Sequence, residues 1–310
     1  MRKARWGRGA GLGLLVLALS GALLSDGPAG ATPHDPVIYS FPIGLPAALS
    51  GRPPAGANVV CHPSAAHPDP VVLVHGLVGN MADNWATISP LLADAGYCVF
   101  ALTYGTLPGN PYVGGEIPME QSAVVLGQFV RWVLGATHAT QVDIVGHSEG
   151  ATMPEYWMKF LGGGPLVHDF VGVAGVLHGT EADGLALLPT LAETAGFGSD
   201  VNGTSGCAAC TELLVGSPYN AKVDTGPLAV PGVHYTMIAT RYDDLVQPYN
   251  SGFVDGTLAT NITVQDQCPL DISDHFSIIA DPVAAADILN ALDPAHPVPV
   301  PCSLVLPVIG

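Results

Sequence analysis

The stretch Gly146-His147-Ser148-Glu149-Gly150 sets a serine between two glycines. It follows the apolar run Val142-Asp143-Ile144-Val145 and precedes a segment with helical character. A chain that turns sharply from strand into helix strains the backbone of the residue at the corner, and flanking glycines keep that corner clear of the neighbouring strand and helix. Ser148 would then stand at the end of a strand with its backbone at a helix N-terminus, whose dipole and free N–H groups favour negative charge developing nearby. The chemistry this implies is nucleophilic attack on a carbonyl.

A serine hydroxyl is a poor nucleophile unless a base takes its proton as it attacks. Four of the 11 histidines, His178, His234, His275 and His296, lie well beyond Ser148. With a nucleophile on such an elbow, the acid comes next in the chain and the histidine last, on a loop after the final strand. His178 comes too early to leave room for the acid, His234 begins a strand, and His296 lies in a proline-rich tail. His275, between the last expected strand and the last expected helix, is the base. The acid belongs at the end of the preceding strand, where the run 235–240 leads into Arg241-Tyr242-Asp243-Asp244. Either aspartate could hold the second histidine nitrogen and fix its tautomer. Oxyanion donors are expected from the backbone N–H groups of Leu77, in the loop Val74-His75-Gly76-Leu77-Val78-Gly79-Asn80, and of Glu149. His75 is read as a buried brace for that loop.

These groups need a sheet to hold them. Short apolar, β-branched runs predict strands at about 71–74, 97–102, 142–145, 170–176, 235–240 and 261–264, and uniform apolarity is what a parallel strand covered on both faces requires. Helical spacing predicts helices at about 85–95, 119–134, 150–161 and 282–292, the second with Val124, Val125, Phe129, Val130 and Val133 on its apolar positions. Alternating strand and helix without a repeat means an α/β fold with a mostly parallel central sheet flanked by helices. Residues 32–57, rich in proline and glycine, read as an N-terminal arm leading into one domain over 58–310. Residues 180–227 lack periodicity and are expected to form a lid or pocket insertion.

Residues 1–31 pair a basic start (Arg2, Lys3, Arg5, Arg8) with an apolar run from about Ala10 to Leu24 and a small-residue site at Ala29-Gly30-Ala31, the pattern of a cleaved signal peptide. The full chain of 310 residues has 9 basic and 26 acidic residues, a net charge of −17. Removing the leader leaves a net charge of about −20, a surface that repels nucleic acid and anionic membranes and favours neutral partners. No transmembrane segment is expected in the remainder, contact with a lipid interface would be transient, and the oligomeric state is not legible. An even count of six cysteines in an exported chain points to disulfides. The preferred set is Cys61 with Cys98, Cys207 with Cys210, and Cys268 with Cys302; the C-x-x-C pair reads as a tight structural loop and not as a redox or zinc site.

Several blocks carry a family resemblance: Val71-Val72-Leu73-Val74-His75-Gly76, Gly79-Asn80-Met81-Ala82-Asp83-Asn84-Trp85, the serine pentapeptide, Thr240-Arg241-Tyr242-Asp243, and Gln267-Cys268-Pro269-Leu270 through Ser273-Asp274-His275. Together they resemble the secreted class 2 lipases and esterases of high-GC Gram-positive bacteria, related in pattern to fungal lipase B. The resemblance implies a single-domain α/β-hydrolase fold and a serine carboxylic ester hydrolase acting on neutral lipid esters, with no metal or organic cofactor. It places the acid on Asp243, agrees with His275 as base, and supports the Cys61–Cys98 and Cys268–Cys302 pairs. Two residues depart from it: Glu149 stands where the group often has Gln, and Leu77 where it usually has Thr. Acyl transfer or polyester cleavage by the same three residues, or a non-catalytic binding role on this fold, are the alternatives.

Overall fold

Six parallel strands run side by side in the order β2-β1-β3-β4-β5-β6. The computed structural model describes residues 37–185 and 206–310, and the leader expected over 1–31 lies outside them. The strands are β1 (Val71–Val74), β2 (Val99–Leu102), β3 (Val142–His147), β4 (Val167–Val173), β5 (His234–Ala239) and β6 (Ala259–Thr263). The principal helices are α1 (Ile88–Asp94), α2 (Met119–Thr137), α3 (Met153–Phe160), α4 (Ala208–Glu212), α5 (Pro218–Val223) and α6 (Pro282–Leu292).

Because side chains alternate across a strand, each strand feeds two cores. Val72, Val74, Phe100, Leu102, Ile144, Phe170, Tyr235 and Met237 face a layer that includes Leu126 and Val130 of α2 and Trp157 of α3. Val71, Leu73, Val99, Ala101, Val145, Val171, Val173 and Ile238 face another with Ile88 and Leu92 of α1 and Val283 and Ile288 of α6. Every residue of β1, β2 and β3 is buried, the condition that uniform apolarity in the sequence anticipates. Among the described residues no helix is long and apolar enough to cross a membrane.

The expected boundaries shift for identifiable reasons. The helix expected from 85 begins only at Ile88; ahead of it, Asn80 starts a separate turn, Met81–Asn84, through a reciprocal cap in which its side chain accepts from Ala82 and Asp83 while Asp83 accepts from the Asn80 amide. The helix expected over 150–161 is split. A tight turn over Ser148–Ala151 ends at Thr152, whose hydroxyl donates to the Ser148 carbonyl (3.0 Å), and α3 restarts with a proline in its first turn. In α2 the buried face carries Met119, Ala123, Leu126, Val130 and Val133, whereas Val124 and Val125 are exposed. β4 begins at Val167 and stops at Val173, beyond which Ala174 takes a left-handed backbone. The strands expected from 97 and 261 start at Val99 and Ala259.

The arm over 37–57 is not wholly irregular: it forms helical turns over Phe41–Gly44 and Leu45–Ala48. It then joins the exposed edge of β2, where Ala57 bridges Val99 and the Asn58 side chain exchanges two hydrogen bonds with the Ala101 backbone (2.8 and 2.9 Å). The described parts of the 180–227 insertion hold the turn Ala182–Leu185, α4 and α5; residues 186–205 lie outside them. All six cysteines are paired, Cys61–Cys98, Cys207–Cys210 and Cys268–Cys302.

Candidate active site

β3 ends on the serine elbow. Ser148 holds a left-handed backbone with φ 56, a conformation that strains a residue bearing a side chain. A methyl added to Gly146 would lie 2.0 Å from the Gly150 carbonyl oxygen, and one on Gly150 would lie 2.0 Å from that of Val74. Both glycines are therefore obligatory.

Two loops bring partners to this serine. His275 Nε2 lies 3.0 Å from Ser148 Oγ, and its Nδ1 lies 2.8 Å from Asp243 Oδ2. A carboxylate only accepts, so Nδ1 carries the proton and Nε2 is left to receive one from the hydroxyl. All three residues are buried. Burial, the largest single influence, disfavours a charged imidazole, but the carboxylates around the ring, Asp243 first with Asp244 and Asp274 adding to it, together outweigh it, and the His275 pKa is raised above its ordinary value.

Asp243 and Asp244, even in sequence, are not even in space. Asp243 Oδ1 accepts the backbone N–H of Leu245 (3.0 Å) and Val246 (2.7 Å), which aims its other oxygen at the histidine. Asp244 is only partly buried, and burial raises its pKa. Thr240 joins this turn to the histidine loop: its hydroxyl donates to the Ser273 carbonyl (2.6 Å) and accepts from Gln265 Nε2 (2.8 Å).

The loop carrying His275 is held along its length. Asp274 accepts from the Ser277 amide (2.8 Å) and hydroxyl (2.7 Å) and, through its other oxygen, from the Val308 amide (3.0 Å). The Ser273 hydroxyl donates to Asp281 (3.1 Å), which also caps α6 by accepting from Val283 (2.7 Å). Burial and the adjacent Asp271 push the Asp281 carboxyl up to about 8. His147, inside the pentapeptide, is a positioning residue that sequence reasoning passed over. Its ring lies between Asn84 Oδ1 (3.1 Å) and the His275 carbonyl (3.0 Å), and burial keeps it neutral by driving its pKa well below the ordinary value. Its place beside the serine was the only available signal.

On the other side, a methyl on Gly76 would lie 3.1 Å from Ser148 Cβ, so the loop leading to Leu77 abuts the serine. Among the described residues, neither the Leu77 nor the Glu149 N–H donates a hydrogen bond within the protein, which leaves both available to an oxyanion. His75 braces this loop: Nδ1–H donates to the Gly76 carbonyl (2.8 Å), Nε2 accepts from the Tyr104 amide (3.2 Å), and the ring stacks on Tyr104. Burial lowers its pKa to about 4, so it stays neutral. The Glu149 side chain is fully buried, packed so closely on Gly115 that a methyl there would lie 2.4 Å from Oε2, with Tyr104 as the polar side chain beside its carboxyl. Burial raises its pKa well above the ordinary value. That direction favours the uncharged form of the carboxyl beside the Leu77 and Glu149 amides.

The other late histidines stand elsewhere. His178 lies beside Asp224 (3.4 Å) and His296 beside Asp293 (3.0 Å), both substantially exposed, and His234 opens β5 at the opposite edge of the sheet.

A parallel sheet in this order, with a serine elbow after β3, an acid after β5 and a histidine loop after the last strand, is an α/β-hydrolase. Among solved structures the chain is similar to lipase B of Aspergillus fumigatus, with a TM-score of 0.58 at 18% identity over 77% of this chain and 57% of that one. It is also similar to a Bacillus licheniformis lipase in its mature form, with a TM-score of 0.54 at 18% identity over 76% and 96% of the two chains. The sequence model of the class 2 lipase family, described as Lipase (class 2), matches residues 68–286. The chain belongs to that family. Among curated relatives, a triacylglycerol lipase of Burkholderia plantarii is 32% identical over 114 residues, 33% of this chain and 30% of that protein. One of Pseudarthrobacter phenanthrenivorans is 35% identical over 92 residues, 28% and 27% of the two. The chain thus covers less than a third of the length of each of these two relatives.

Proposed function

We propose that this protein is a secreted carboxylic ester hydrolase that cleaves neutral lipid esters by way of an acyl-enzyme. Ser148 is the nucleophile, His275 the general base and Asp243 the orienting acid. The observation that carries this reading is the continuous chain of contacts from Asp243 through His275 to Ser148, 2.8 and 3.0 Å long, in a buried setting.

As Ser148 Oγ attacks the ester carbonyl, its proton passes to His275 Nε2, and the imidazolium is stabilised by Asp243 across the ring. The Leu77 and Glu149 amides receive the negative charge on the former carbonyl oxygen; each such donor is worth about 3 kcal/mol in the transition state. His275 then protonates the departing alkoxide, and a water activated by the same ring releases the acid and restores the serine. Leu77 contributes no hydroxyl to this hole, so the two amides carry it.

Family membership and the lipase names of the relatives support an ester as substrate. The pairing of every cysteine supports an oxidising, extracellular location, and with it removal of residues 1–31 and a catalytic domain over 58–310. The −17 net charge favours a neutral substrate over an anionic one.

The decisive experiment is labelling with a fluorophosphonate, which forms an Oγ–phosphorus bond with loss of fluoride. The folded protein should be labelled and should hydrolyse nitrophenyl esters; S148A should do neither. Absence of labelling on correctly folded protein would overturn the proposal.

A further inference from the structure

The edge of the sheet opposite the serine gathers a second set of reactive side chains that ester hydrolysis does not use. Asp69 precedes β1, Asp143 lies near the start of β3, His168 and Asp169 near that of β4, and His234 opens β5. In a regular strand His168 and Asp169, being adjacent, would point to opposite faces. Here the pairing of β3 with β4 slips: Val142 pairs with Val167, but Ile144 pairs with Phe170, so both His168 and Asp169 stand opposite Asp143. A bulge of this kind re-aims a side chain. It brings His168 Nδ1 to 3.2 Å from Asp169 Oδ2, while the cross-strand partner His234 sets its Nδ1 3.3 Å from Asp169 Oδ1.

We propose that His168, Asp169 and His234 form a binding site for a divalent transition-metal ion such as zinc. Their ligand atoms lie within 4.8 Å of one another. With metal–ligand bonds of about 2.0–2.1 Å, a tetrahedral ion separates its ligands by roughly 3.3 Å, and each histidine Nδ1 already stands near that distance from one of the two Asp169 oxygens. Two imidazole nitrogens and one carboxylate favour zinc or a neighbouring transition metal over calcium or magnesium, which prefer oxygen alone. Asp143 holds the backbone of the set: its Oδ1 accepts the Asp169 amide (3.1 Å), while its contact with His168 Nδ1, like that of Asp69 (both 3.6 Å), is one that a metal ion on this nitrogen would replace. The pocket holds three carboxylates, two of them buried, which together attract a cation. The side chains of His168 and His234 are 43% and 57% exposed, so an ion can enter without unfolding the sheet. An ion here would tie β4 to β5 at their starts; it is structural and takes no part in the chemistry at the far edge.

Chelator-treated full-length protein is titrated with zinc chloride, following calorimetric heat and melting temperature, with calcium and magnesium chloride in parallel. One zinc per chain and a rise in Tm of roughly 5 °C or more at saturating zinc are expected, with no response to calcium or magnesium. H234A, altering a side chain more than half exposed, and H168A should each weaken zinc binding by at least tenfold and remove the Tm rise. Both should keep fluorophosphonate labelling of Ser148, so failure of the metal site would be distinguishable from failure of the catalytic reading. No heat and no Tm change with zinc on the wild-type protein would overturn the proposal, leaving an ion-pair cluster only. Binding retained in both variants, or a response to calcium alone, would overturn it equally.

Discussion

At one edge of this sheet a histidine meets a single carboxylate; at the other edge a histidine faces three. His275 is buried and touches Asp243 at 2.8 Å, whereas His168 is 43% exposed and stands 3.2 to 3.6 Å from Asp69, Asp143 and Asp169. The difference separates two uses of the same pair of residue types. One short contact in a dry setting fixes which nitrogen bears the proton and leaves the other to do acid–base work. Several wider contacts open to solvent, the one to Asp143 foremost, push the His168 pKa up to about 9 without singling out one partner, and a metal ion between the ligands would take the place of that proton.

The contrast would be broken most completely at the dry edge. S148A should lower kcat for ester hydrolysis by roughly 10⁶-fold. D243N should cost about 10⁴-fold by spoiling the histidine tautomer, while D244N stays within a few-fold of wild type, all measured on the same nitrophenyl ester. Equal losses in D243N and D244N would show that the acid is shared and the single-partner description is wrong.

Next in size is the support behind the histidine. Removing the Cys268–Cys302 bridge, which closes a loop with a sequence separation of 34, in the double variant C268S/C302S should cost about 3 kcal/mol in urea unfolding. Glu149 tests what a dry edge does to a fully buried carboxyl. Its folded-state pKa is raised, so the folded protein keeps this proton over a range in which the unfolded chain has lost it, and stability falls as pH rises above the ordinary carboxyl range. E149Q should therefore be more stable than wild type near pH 8, the difference vanishing near pH 4. An unchanged pH profile in urea melts would show that Glu149 is charged and solvated.

The smallest effect sharpens the contrast by pH. A raised His275 pKa means that the ring is protonated, and unable to accept the serine proton, up to a pH above its ordinary value. The acid limb of kcat/KM should accordingly have its midpoint above about 6.5. In D244N it should move toward lower pH by a fraction of a unit, since that carboxylate adds to the upward pull on the ring. A midpoint well below 6.5 would mean that desolvation wins over Asp243.

What could be read in the residues, and what could not, divides along physical lines. β1 and β3 were legible because a parallel strand buried on both faces has no polar position to blur it, and the elbow because two glycines with no room for a methyl leave a mark in the sequence. The buried face of α2 was misassigned because apolar residues lie on more than one side of that helix. Asp243 could not be told from Asp244 by pattern, since two amides later in the same turn make the choice. His147 escaped notice because its task is to hold a backbone carbonyl 128 residues away. The convergence of His168 with Asp169 depends on a slip in strand pairing that no local spacing encodes.

The last few residues form a clasp over the histidine loop. The Val308 amide holds Asp274, the Ile309 carbonyl receives the Ser40 hydroxyl and the Phe41 amide, and Val305 bridges Asp271. Loss of these contacts would thus loosen the loop that carries His275 while leaving the elbow of Ser148, the turn of Asp243 and the sheet in place. Such a protein would age by losing turnover long before it lost its shape.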